Sequence, residues 1–573
     1  MNKTRLFGCM MAGLAVAVSP GWAQMQSQTA TSQESMVVTD QHIASDVGRR
    51  VLEAGGNAID AAVAIGYALA VVDPCCGNLG GGGFMTIHLK DGRDTFINFR
   101  ERAPLKATTT LYQDQNGNVI PNLSLYGYLA VGVPGSVAGL EKAREVYGTK
   151  SRLTLIAPAI ELAESGFVLD EGDVAELGQA TAEFAQQPNV AAIFLNQGQP
   201  YKVGERLVQI DLAQTLRQIA LDGPDAFYQG SIADVVIAAS DANGGILSKA
   251  DFEQYTAEEL NPVQCNYRGY RVVSSPPPSS GGTVLCEVLN VLKGYDLAQL
   301  GFHSTDAVHD TVEAERQAYA DRNTYLGDPD FVSNPISQLL SSRYAKKIRA
   351  SIAPATAGSS VNTVPGLGGI AADVAEGPHT THYSVLDRMG NAVSVTYTIN
   401  NLFGAGVIAG NTGFLLNDEM DDFTSKPGVP NLYGLVQGAA NDIQPGKRPL
   451  SSMSPSILLK GDNVFMVVGA PGGSRIPTEV LGVIQNVIDY GMEIGAAVAA
   501  PRIHHQYLPD TVYLEPNALS AEVFAALQNE GYDLTQQTTT WGLAEAILVD
   551  RSTGLITGAT DPRRPNGLAA GSP

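Results

Sequence analysis

The sequence changes character at residue 380, and this change constrains the possible folds more than any other feature. Residues 354–379 are dominated by Ala, Gly, Ser, Thr and Pro and contain no Phe, Trp or Tyr, which predicts a mobile or extended segment. Residues 381–386 and 392–399 then alternate with period two around a turn at 388–391, which predicts a β-hairpin. Composition alone fits an ordinary interdomain linker equally well.

Helices and hairpins are mixed along the rest of the chain. An amphipathic stretch at 42–54 stops at Gly55-Gly56, and the small, apolar stretch 58–72 predicts a fully buried helix that ends at Asp73-Pro74. Further helices are predicted at 135–147, 153–165, 283–293 and 305–325 and from 475 to about Tyr490. Hairpins are predicted for 84–89 with 95–99 and for 455–459 with 464–468. This mixture indicates a layered α+β architecture.

The N-terminal residues indicate export. Lys3 and Arg5 precede the apolar run 6–18, and Gly21-Trp22-Ala23 offers small residues for cleavage, so residues 1–23 are predicted to be a signal peptide. The run is shorter than the roughly 20 apolar residues of a spanning helix, which argues against a membrane anchor. A periplasmic or secreted location follows.

Charge and histidine spacing exclude several classes of function. The formal net charge is −22, so bulk attraction to nucleic acid or anionic lipid is not expected. The eight histidines form no HExxH or HxxxH pattern, and neither cysteine pair after the signal peptide has metal-ligand spacing. We therefore predict no metal and no cofactor.

The cysteines leave the disulfide pattern open. Cys75 and Cys76 are adjacent, and their role is not predicted. A bond between Cys265 and Cys286 is allowed in an oxidising compartment but cannot be deduced from the sequence.

Thr380 is the strongest candidate nucleophile. The sequence has no GxSxG elbow, no SxxK followed by KTG and no P-loop, and the glycines at 404–410 fit a turn better than a dinucleotide site. If the chain breaks before Thr380, one residue holds both a hydroxyl nucleophile and an α-amine of pKa ~7.7–8 that can act as its base. On local sequence alone, the start of a strand with β-branched residues is the better interpretation.

Three other segments could complete an active site. Gly472 and Gly473 lead into a helix and offer two backbone N–H groups to an oxyanion. The acidic loop 417–423 suits an ammonium group, and Arg100, directly after an apolar strand, could grip a carboxylate. Each has an ordinary alternative, namely a glycine helix entry, a solvated acidic turn and a surface arginine.

Taken together, these segments resemble the bacterial γ-glutamyltranspeptidases of the N-terminal-nucleophile hydrolase superfamily. The family's motifs occur in its order as GNLGGGGF at 77–84, FRE at 99–101, PPPSSGG at 276–282, ADR at 320–322 with LGDP at 326–329, TTHYS at 380–384, PLSSMSP at 449–455 and PGGSR at 471–475. The similarity covers nearly the whole chain after the signal peptide.

The resemblance implies an αββα sandwich made from a self-cleaved precursor. Cleavage between His379 and Thr380 would give a large subunit 24–379 and a small subunit 380–573 that associate as a heterodimer. The implied activity moves the γ-glutamyl group of glutathione and related donors to amino acids, peptides or water.

The resemblance also implies roles for individual residues. Thr380 corresponds to the nucleophile, Thr398 supports its amine, and Gly472 and Gly473 form the oxyanion hole. The remaining matches are Arg100, Ser451 and Ser452 for the donor's α-carboxylate, Asn400, Glu419 and Asp422 for its α-ammonium, and Tyr433 in the lid loop 427–434. Glu419 stands where some bacterial members carry glutamine, so relative rates with different donors are left open.

Two other functions are compatible with parts of the sequence. A cephalosporin or glutaryl acylase shares the precursor fold and the nucleophile, but its substrates lack the α-amino group that Asn400, Glu419 and Asp422 would bind. A periplasmic glutamyl-peptide binding protein would capture the same zwitterion without cleaving itself, so a denaturing gel distinguishes it.

Overall fold

Two stacked antiparallel sheets form the centre of the protein in a computed structural model that describes residues 25–366 and 380–572. Sheet 1 has seven strands, which in spatial order are Thr29–Ser32, Leu555–Ala559, Glu545–Asp550, Asn463–Gly469, Ser456–Lys460, Tyr270–Ser274 and Val263–Tyr267. Sheet 2 also has seven, in the order Leu568–Ser572, Ser35–Thr39, Thr381–Leu386, Ala392–Thr398, Gly82–His88, Asp94–Phe99 and Glu258–Leu260.

Apolar side chains from both sheets meet between them. The buried cluster there includes Met36, Val38, Leu386, Ile457, Val467 and Ile547. The strand Thr381–Leu386 has every residue buried because a second sheet covers one of its faces and helices cover the other. The nucleophile candidate therefore begins a strand that is fixed from both sides.

Helices cover the outer face of each sheet. His42–Glu53, Ala58–Val72 and Ser136–Tyr147 pack on sheet 2, with Arg152–Ser165 and Ile210–Asp222 outside them. Gly281–Leu292, Ile476–Ile488 and Ile494–Ala499 pack on sheet 1, with Thr305–Tyr325 behind them. The α+β class and the four-layer αββα order that the sequence implied are confirmed.

Local signals set the bounds of the helix Ala58–Val72. Asn57 accepts a hydrogen bond from the backbone N–H of Asp60 and the Asp60 carboxylate accepts one from the N–H of Asn57, which forms a capping box. All fifteen residues are buried, as a helix that is apolar on every face requires.

The remaining elements are shorter or peripheral. The other α-helices are Glu171–Gln179, Thr181–Phe184, Pro188–Phe194, Pro224–Tyr228, Ser231–Ala242, Lys249–Glu253, Leu297–Leu300, Ile336–Leu339, Ser342–Ser351 and Ala521–Glu530. Single turns of 3₁₀-helix lie at Tyr128–Ala130, Glu419–Asp422, Ala439–Asn441 and Gly473–Arg475. Two minor sheets join Ile503–His504, Val512–Leu514 and Leu534–Gln536, and Phe167–Val168 with Arg206–Leu207.

The segment before residue 380 is described only in part. Residues 354–366 contain turns and no helix or strand, in line with the expected extended tract. Residues 367–379, including His379, and the predicted signal peptide 1–23 lie outside the described residues. Within the described ranges, no helix is both long and apolar enough to cross a membrane.

Both cysteine pairs are bonded. Cys265 on the strand Val263–Tyr267 is joined to Cys286 on the helix Gly281–Leu292. The adjacent Cys75 and Cys76 are joined to each other.

Candidate active site

Thr380 lies at the edge of a cavity at the start of the strand Thr381–Leu386. Its Oγ1 donates a hydrogen bond of 3.3 Å to Thr398 Oγ1, at the end of the neighbouring strand Ala392–Thr398. Thr398 Oγ1 also accepts a 2.8 Å hydrogen bond from the backbone N–H of Asn400. The antiparallel pairing of the two strands thus brings the predicted nucleophile and its predicted supporting hydroxyl together.

The glycine run at 80–83 fixes the end of the strand Ala392–Thr398. A Cβ at Gly81 would lie 1.9 Å from the carbonyl oxygen of Thr398, so only glycine permits this backbone approach. On the other side, the carbonyls of Cys76 and Cys75 accept hydrogen bonds of 2.9 Å from the N–H groups of Ile399 and Phe403. The turn after Thr398 is therefore held from two directions.

Arg100 is completely buried and pairs with both Glu419 and Asp422. Burial alone would lower the pKa of Arg100, but the two carboxylates outweigh it and hold the pKa above its ordinary value. Its Nε also donates a 3.1 Å hydrogen bond to the carbonyl of Pro449. The sequence assigned Arg100 and the two acids to opposite ends of a donor, and in the structure they contact one another directly.

The acidic loop forms the single 3₁₀ turn Glu419–Asp422. Burial raises the pKa of Glu419 well above its usual range, and its Oε2 is a buried oxygen with no hydrogen-bond partner among the described residues. Asp422 Oδ1 accepts from Asn431 at 3.1 Å. Glu419 and Asp422 line the cavity, where the lone oxygen of Glu419 offers a place for a hydrogen-bond donor.

The other two acids of this loop have structural partners. Asp418 accepts hydrogen bonds from the Asn400 side chain and from the Asn401 backbone. Asp421 accepts from Ser124 Oγ at 2.6 Å and from the Leu432 N–H at 2.7 Å, and burial raises its pKa to about 6. Because Asn400 donates through its amide nitrogen, its Oδ1 is the side-chain oxygen left for an ammonium.

Ser451 and Ser452 line the same cavity. The backbone N–H of Ser280 donates to the Ser451 carbonyl at 2.8 Å, and the Ser451 N–H donates to the Pro278 carbonyl at 2.9 Å. Through this bridge the PPPSSGG segment holds the backbone of the serines that line the cavity with Arg100.

Tyr433 closes one side of the cavity. It is 4% exposed and its hydroxyl donates a 2.9 Å hydrogen bond to the carbonyl of Asn400. A Cβ at Gly473 would lie 2.3 Å from Tyr433 Cδ1, so the ring lies directly against this glycine.

The two glycines of the predicted oxyanion hole precede the helix Ile476–Ile488. Gly472 has φ 147° and Gly473 has φ 56°, values that favour glycine. Gly473 is among the cavity residues, and Gly472 is its direct neighbour on the chain.

Several cavity residues were not predicted to belong to the site. They are Arg322, Leu435, Met453 and Ile476. The motif at 320–322 belongs to the family pattern, but the sequence predicts no role for Arg322. The sequence signal for Arg322 is a charged residue on a long helix whose neighbouring residues are expected to be buried.

One group of side chains has the spacing of a metal site but not its chemistry. Ligand atoms of Asp73, Cys75, Cys76 and Glu176 lie within 4.8 Å of one another. The two sulfurs are bonded to each other, and the guanidinium of Arg564 donates to Asp73 at 2.8 Å and to Glu176 at 2.5 Å. A cationic side chain already fills the place that a cation would take.

The cavity combines a nucleophile with charges of both signs. These groups are suited to a substrate that carries a carboxylate and an ammonium near a reactive carbonyl. The hydroxyl can attack the carbonyl, the cation and two serines can bind the carboxylate, and the two carboxylates and the amide can bind the ammonium.

Comparison with known proteins identifies the family of this chain. A family model described as Gamma-glutamyltranspeptidase matches residues 44–571. A glutathione hydrolase proenzyme of Pseudomonas sp. (strain A14) is 56% identical over 548 residues, covering 94% of this chain and 94% of that protein. A glutathione hydrolase proenzyme of Escherichia coli (strain K12) is 45% identical over 566 residues, covering 99% and 96%.

A solved structure supports the fold. The crystal structure of cephalosporin acylase from Bacillus halodurans superposes with a TM-score of 0.83 at 29% identity, covering 98% of this chain and 100% of that chain. The family predicted from the motifs is confirmed by the two curated relatives and the family model. Because that model matches nearly the whole chain, the protein belongs to the γ-glutamyltranspeptidase family.

Proposed function

We propose that the protein cleaves itself before Thr380 and then uses Thr380 to move γ-glutamyl groups from glutathione and related donors to amino acids, peptides or water. The observation that carries this proposal is the single cavity in which the Thr380 hydroxyl lies with Arg100, Glu419 and Asp422. The glutathione hydrolase proenzymes among the relatives support the same donor class.

Cleavage would divide the chain into a large subunit 24–379 and a small subunit 380–573. In sheet 2, Thr381–Leu386 pairs with Ser35–Thr39 and Ala392–Thr398 pairs with Gly82–His88, so strands of the two subunits are hydrogen-bonded to each other. Since neither part could complete this sheet alone, the products are expected to stay together as a heterodimer. We place the enzyme in the periplasm or outside the cell, on the strength of the signal peptide expected at 1–23.

The cleavage step uses the same hydroxyl as the later reaction. Thr380 Oγ attacks the carbonyl carbon of His379, the peptide C–N bond breaks, and the resulting ester is hydrolysed by water. The peptide nitrogen becomes the free α-amine of Thr380, and His379 gains a carboxylate. Thr398, at 3.3 Å from Thr380 Oγ1, is positioned to orient the hydroxyl.

The donor's α-carboxylate would be bound by Arg100, Ser451 and Ser452. In the structure Arg100 is paired with Glu419 and Asp422. A bound carboxylate supplies the guanidinium with a new partner, and this exchange leaves the two acids free for the other end of the donor.

The donor's α-ammonium would be bound by Asn400, Glu419 and Asp422. The buried Oε2 of Glu419 lacks a hydrogen-bond donor among the described residues, and an ammonium supplies one. Tyr433 would cover the bound glutamyl group.

Acyl transfer then proceeds through a threonyl ester. The α-amine of Thr380 accepts the hydroxyl proton, Oγ attacks the donor's γ-carbonyl, and the N–H groups of Gly472 and Gly473 stabilise the oxyanion. The leaving amine takes the proton, and the ester reacts with water or with an unprotonated acceptor amine.

An acylase of the same fold is the competing function, because a cephalosporin acylase superposes well. Acylase substrates of this type lack an α-amino group. If such a substrate takes Arg100 as the partner of its carboxylate, Glu419 and Asp422 are left buried without a cation, which is costly. The γ-glutamyl donor fits this cavity better.

The proposal is tested by assaying the purified protein on a γ-glutamyl anilide with and without a dipeptide acceptor. We expect hydrolysis without the acceptor and transfer product with it, and the transfer share should rise as pH passes the acceptor's pKa. Thr380→Ala is the control and should remain one chain without activity. A single uncut wild-type chain that binds glutamyl peptides would instead indicate a binding protein.

A further inference from the structure

Arg322 is a buried cation for which the described part of the chain supplies no ion-pair partner. It lies on the helix Thr305–Tyr325, is 1% exposed and lines the cavity that holds Thr380. Its hydrogen bonds go to neutral oxygens: Ser280 Oγ at 3.0 Å, Asn323 Oδ1 and Gln437 Oε1 at 2.9 Å each, and Ser452 Oγ at 3.2 Å.

The other buried arginines in the described part of the chain behave differently. Each of them forms an ion pair with a carboxylate; they are Arg100, Arg316, Arg448 and Arg502. A buried charge is costly unless a partner of opposite sign compensates it. Arg322 therefore marks a place where an anionic group is expected from outside the chain.

The charge of Arg322 persists at neutral pH. Burial lowers the pKa of Arg322 to about 10, with a smaller contribution from the like charge of Arg100. Tyr319 and Asp422 act in the opposite direction. The side chain is thus a cation at neutral pH.

Arg322 also determines what the two cavity serines can do. Its Nη2 donates to Ser452 Oγ, and the backbone N–H of Met453 donates to Ser451 Oγ at 3.1 Å. A hydroxyl that already accepts a hydrogen bond has its own proton to donate. Both hydroxyls can therefore donate their protons to an acceptor-only group such as a carboxylate.

The same guanidinium supports the backbone of the serine segment. Arg322 Nε donates to Ser280 Oγ, which in turn donates to the Ser451 carbonyl at 2.7 Å. One side chain thus orients Ser452 directly and Ser451 through Ser280.

We infer that Arg322 is a positioning residue for the donor's α-carboxylate, which it serves by fixing Ser452 as a hydrogen-bond donor and by placing a second positive charge near Arg100. This inference rests on the proposed γ-glutamyl donor and adds a specificity determinant to it. Arg322 favours ligands that carry the α-carboxylate, and it contributes nothing to ligands that carry only the amine.

Three small competitive inhibitors separate these contributions. L-Glutamate carries both charged groups of the donor head, glutarate lacks the ammonium, and 4-aminobutyrate lacks the α-carboxylate. In Arg322→Gln, we expect the KM for a γ-glutamyl anilide and the inhibition constants of glutamate and glutarate to rise about 10- to 100-fold, the range for charge-assisted hydrogen bonds. The inhibition constant of 4-aminobutyrate and kcat should change by less than about threefold, because neither depends on the carboxylate contact.

Arg316→Gln is the matched control, since Arg316 is a buried arginine on the same helix that pairs with Asp510. Arg316→Gln should lower thermal stability without changing the ratios between the inhibition constants of the three inhibitors. If Arg322→Gln weakens all three inhibitors equally, its role is structural and the inference is overturned. Wild-type enzyme without γ-glutamyl transfer would instead reject the proposed function itself.

Arg322→Lys is a second variant that tests the inference if Arg322→Gln does not fold. Lysine preserves the charge but cannot contact Ser280, Gln437 and Ser452 together, so glutamate and glutarate should still weaken relative to 4-aminobutyrate. In the background of Ser452→Ala, the further loss caused by Arg322→Lys should shrink. Fully additive losses would show that Arg322 does not act through Ser452.

Discussion

At the scale of single residues, three charged groups of the cavity neutralise one another, namely Arg100, Glu419 and Asp422, whereas Arg322 has no ion-pair partner among the described residues. Arg100 pairs with Glu419 and Asp422, although the sequence assigns them to opposite ends of the substrate. A zwitterionic donor can pair its carboxylate with Arg100 and its ammonium with Glu419 and Asp422. These pairs would replace the internal ones, so each of the three side chains keeps a partner of opposite charge. A ligand with only one charged group would leave one side without a partner.

Asp422→Ala tests this exchange. Losing one side of a desolvated charge pair costs about 2–5 kcal/mol, so kcat/KM for a γ-glutamyl anilide should fall at least about 30-fold. The variant should still divide into two chains, because Asp422 is not part of the cleavage chemistry. Asp442→Ala, which removes a nearby acid that does not line the cavity, should leave kcat/KM unchanged. Equal donor kinetics in correctly cleaved Asp422→Ala would contradict the assignment.

The sequence identified residue types at the site better than it identified contacts. Thr380, Thr398, Ser451, Ser452 and Tyr433 were all predicted, and all line one cavity. Contacts such as the one between Arg100 and Glu419 span 319 positions of chain and depend on how the layers stack, which local patterns do not encode. Arg322 was missed as a site residue for the same reason.

At the scale of elements, the entry to the helix Ile476–Ile488 requires glycine. In Gly473→Ala, the φ of 56° and the contact with Tyr433 would force the backbone to shift. A shift of about 1 Å in a catalytic group costs about 10²-fold in rate, and we expect a loss of this size in kcat.

Gly482→Ala is the control for that change. Gly482 lies within the same helix, and a Cβ there would meet nothing within 4 Å. Alanine should preserve activity and stabilise the protein by about 0.5–1 kcal/mol, since glycine is the weaker helix former. A fully active Gly473→Ala variant would argue against the oxyanion role of this turn.

The same helix carries a carboxyl group whose ionisation should oppose folding. Both oxygens of Glu479 are buried without a hydrogen-bond partner among the described residues, and its contact with Arg502 is 3.8 Å. Burial raises the pKa of Glu479 from 4.5 to about 7; nearby Arg502 and Arg563 lower it, and Asp561 and Glu515 raise it further.

A pH series on Glu479→Gln tests this effect. A raised pKa means that the folded state holds its proton more tightly, so the stabilisation is complete below pH 4.5 and is lost as pH rises to about 7. Wild-type stability should fall by about 1.4 kcal/mol per pH unit in this window relative to Glu479→Gln. Thermal melting from pH 5 to 8 measures the difference, and parallel curves for the two proteins would contradict it.

Local signals predicted the larger elements well. The helices Ala58–Val72 and Thr305–Tyr325 have the bounds that capping residues and apolar periodicity indicated, and the hairpin strands differ by one to a few residues. The strands Thr29–Ser32, Ser35–Thr39 and Leu568–Ser572 were not predicted. They are short, and they are strands because distant partners pair with them.

At the scale of the whole molecule, residue 380 begins a strand in the interior of a shared sheet. Thr381–Leu386 is flanked by Ser35–Thr39 on one side and by Ala392–Thr398 on the other. A chain break before this strand would leave its described pairing in place, because those hydrogen bonds join Thr381–Leu386 to its two neighbouring strands. This placement allows a buried residue to become a chain terminus without unfolding.

The central claim is that the N-terminal Thr380 of a cleaved small subunit carries the glutamyl group. Mass spectrometry of the denatured protein, acid-quenched after mixing with a γ-glutamyl donor without acceptor, tests it directly. We predict a fragment that begins at Thr380 and gains the mass of one glutamyl group, located by peptide mapping at Thr380. A fragment that begins at another residue, or active enzyme in which no glutamyl adduct of Thr380 can be trapped, would contradict the account.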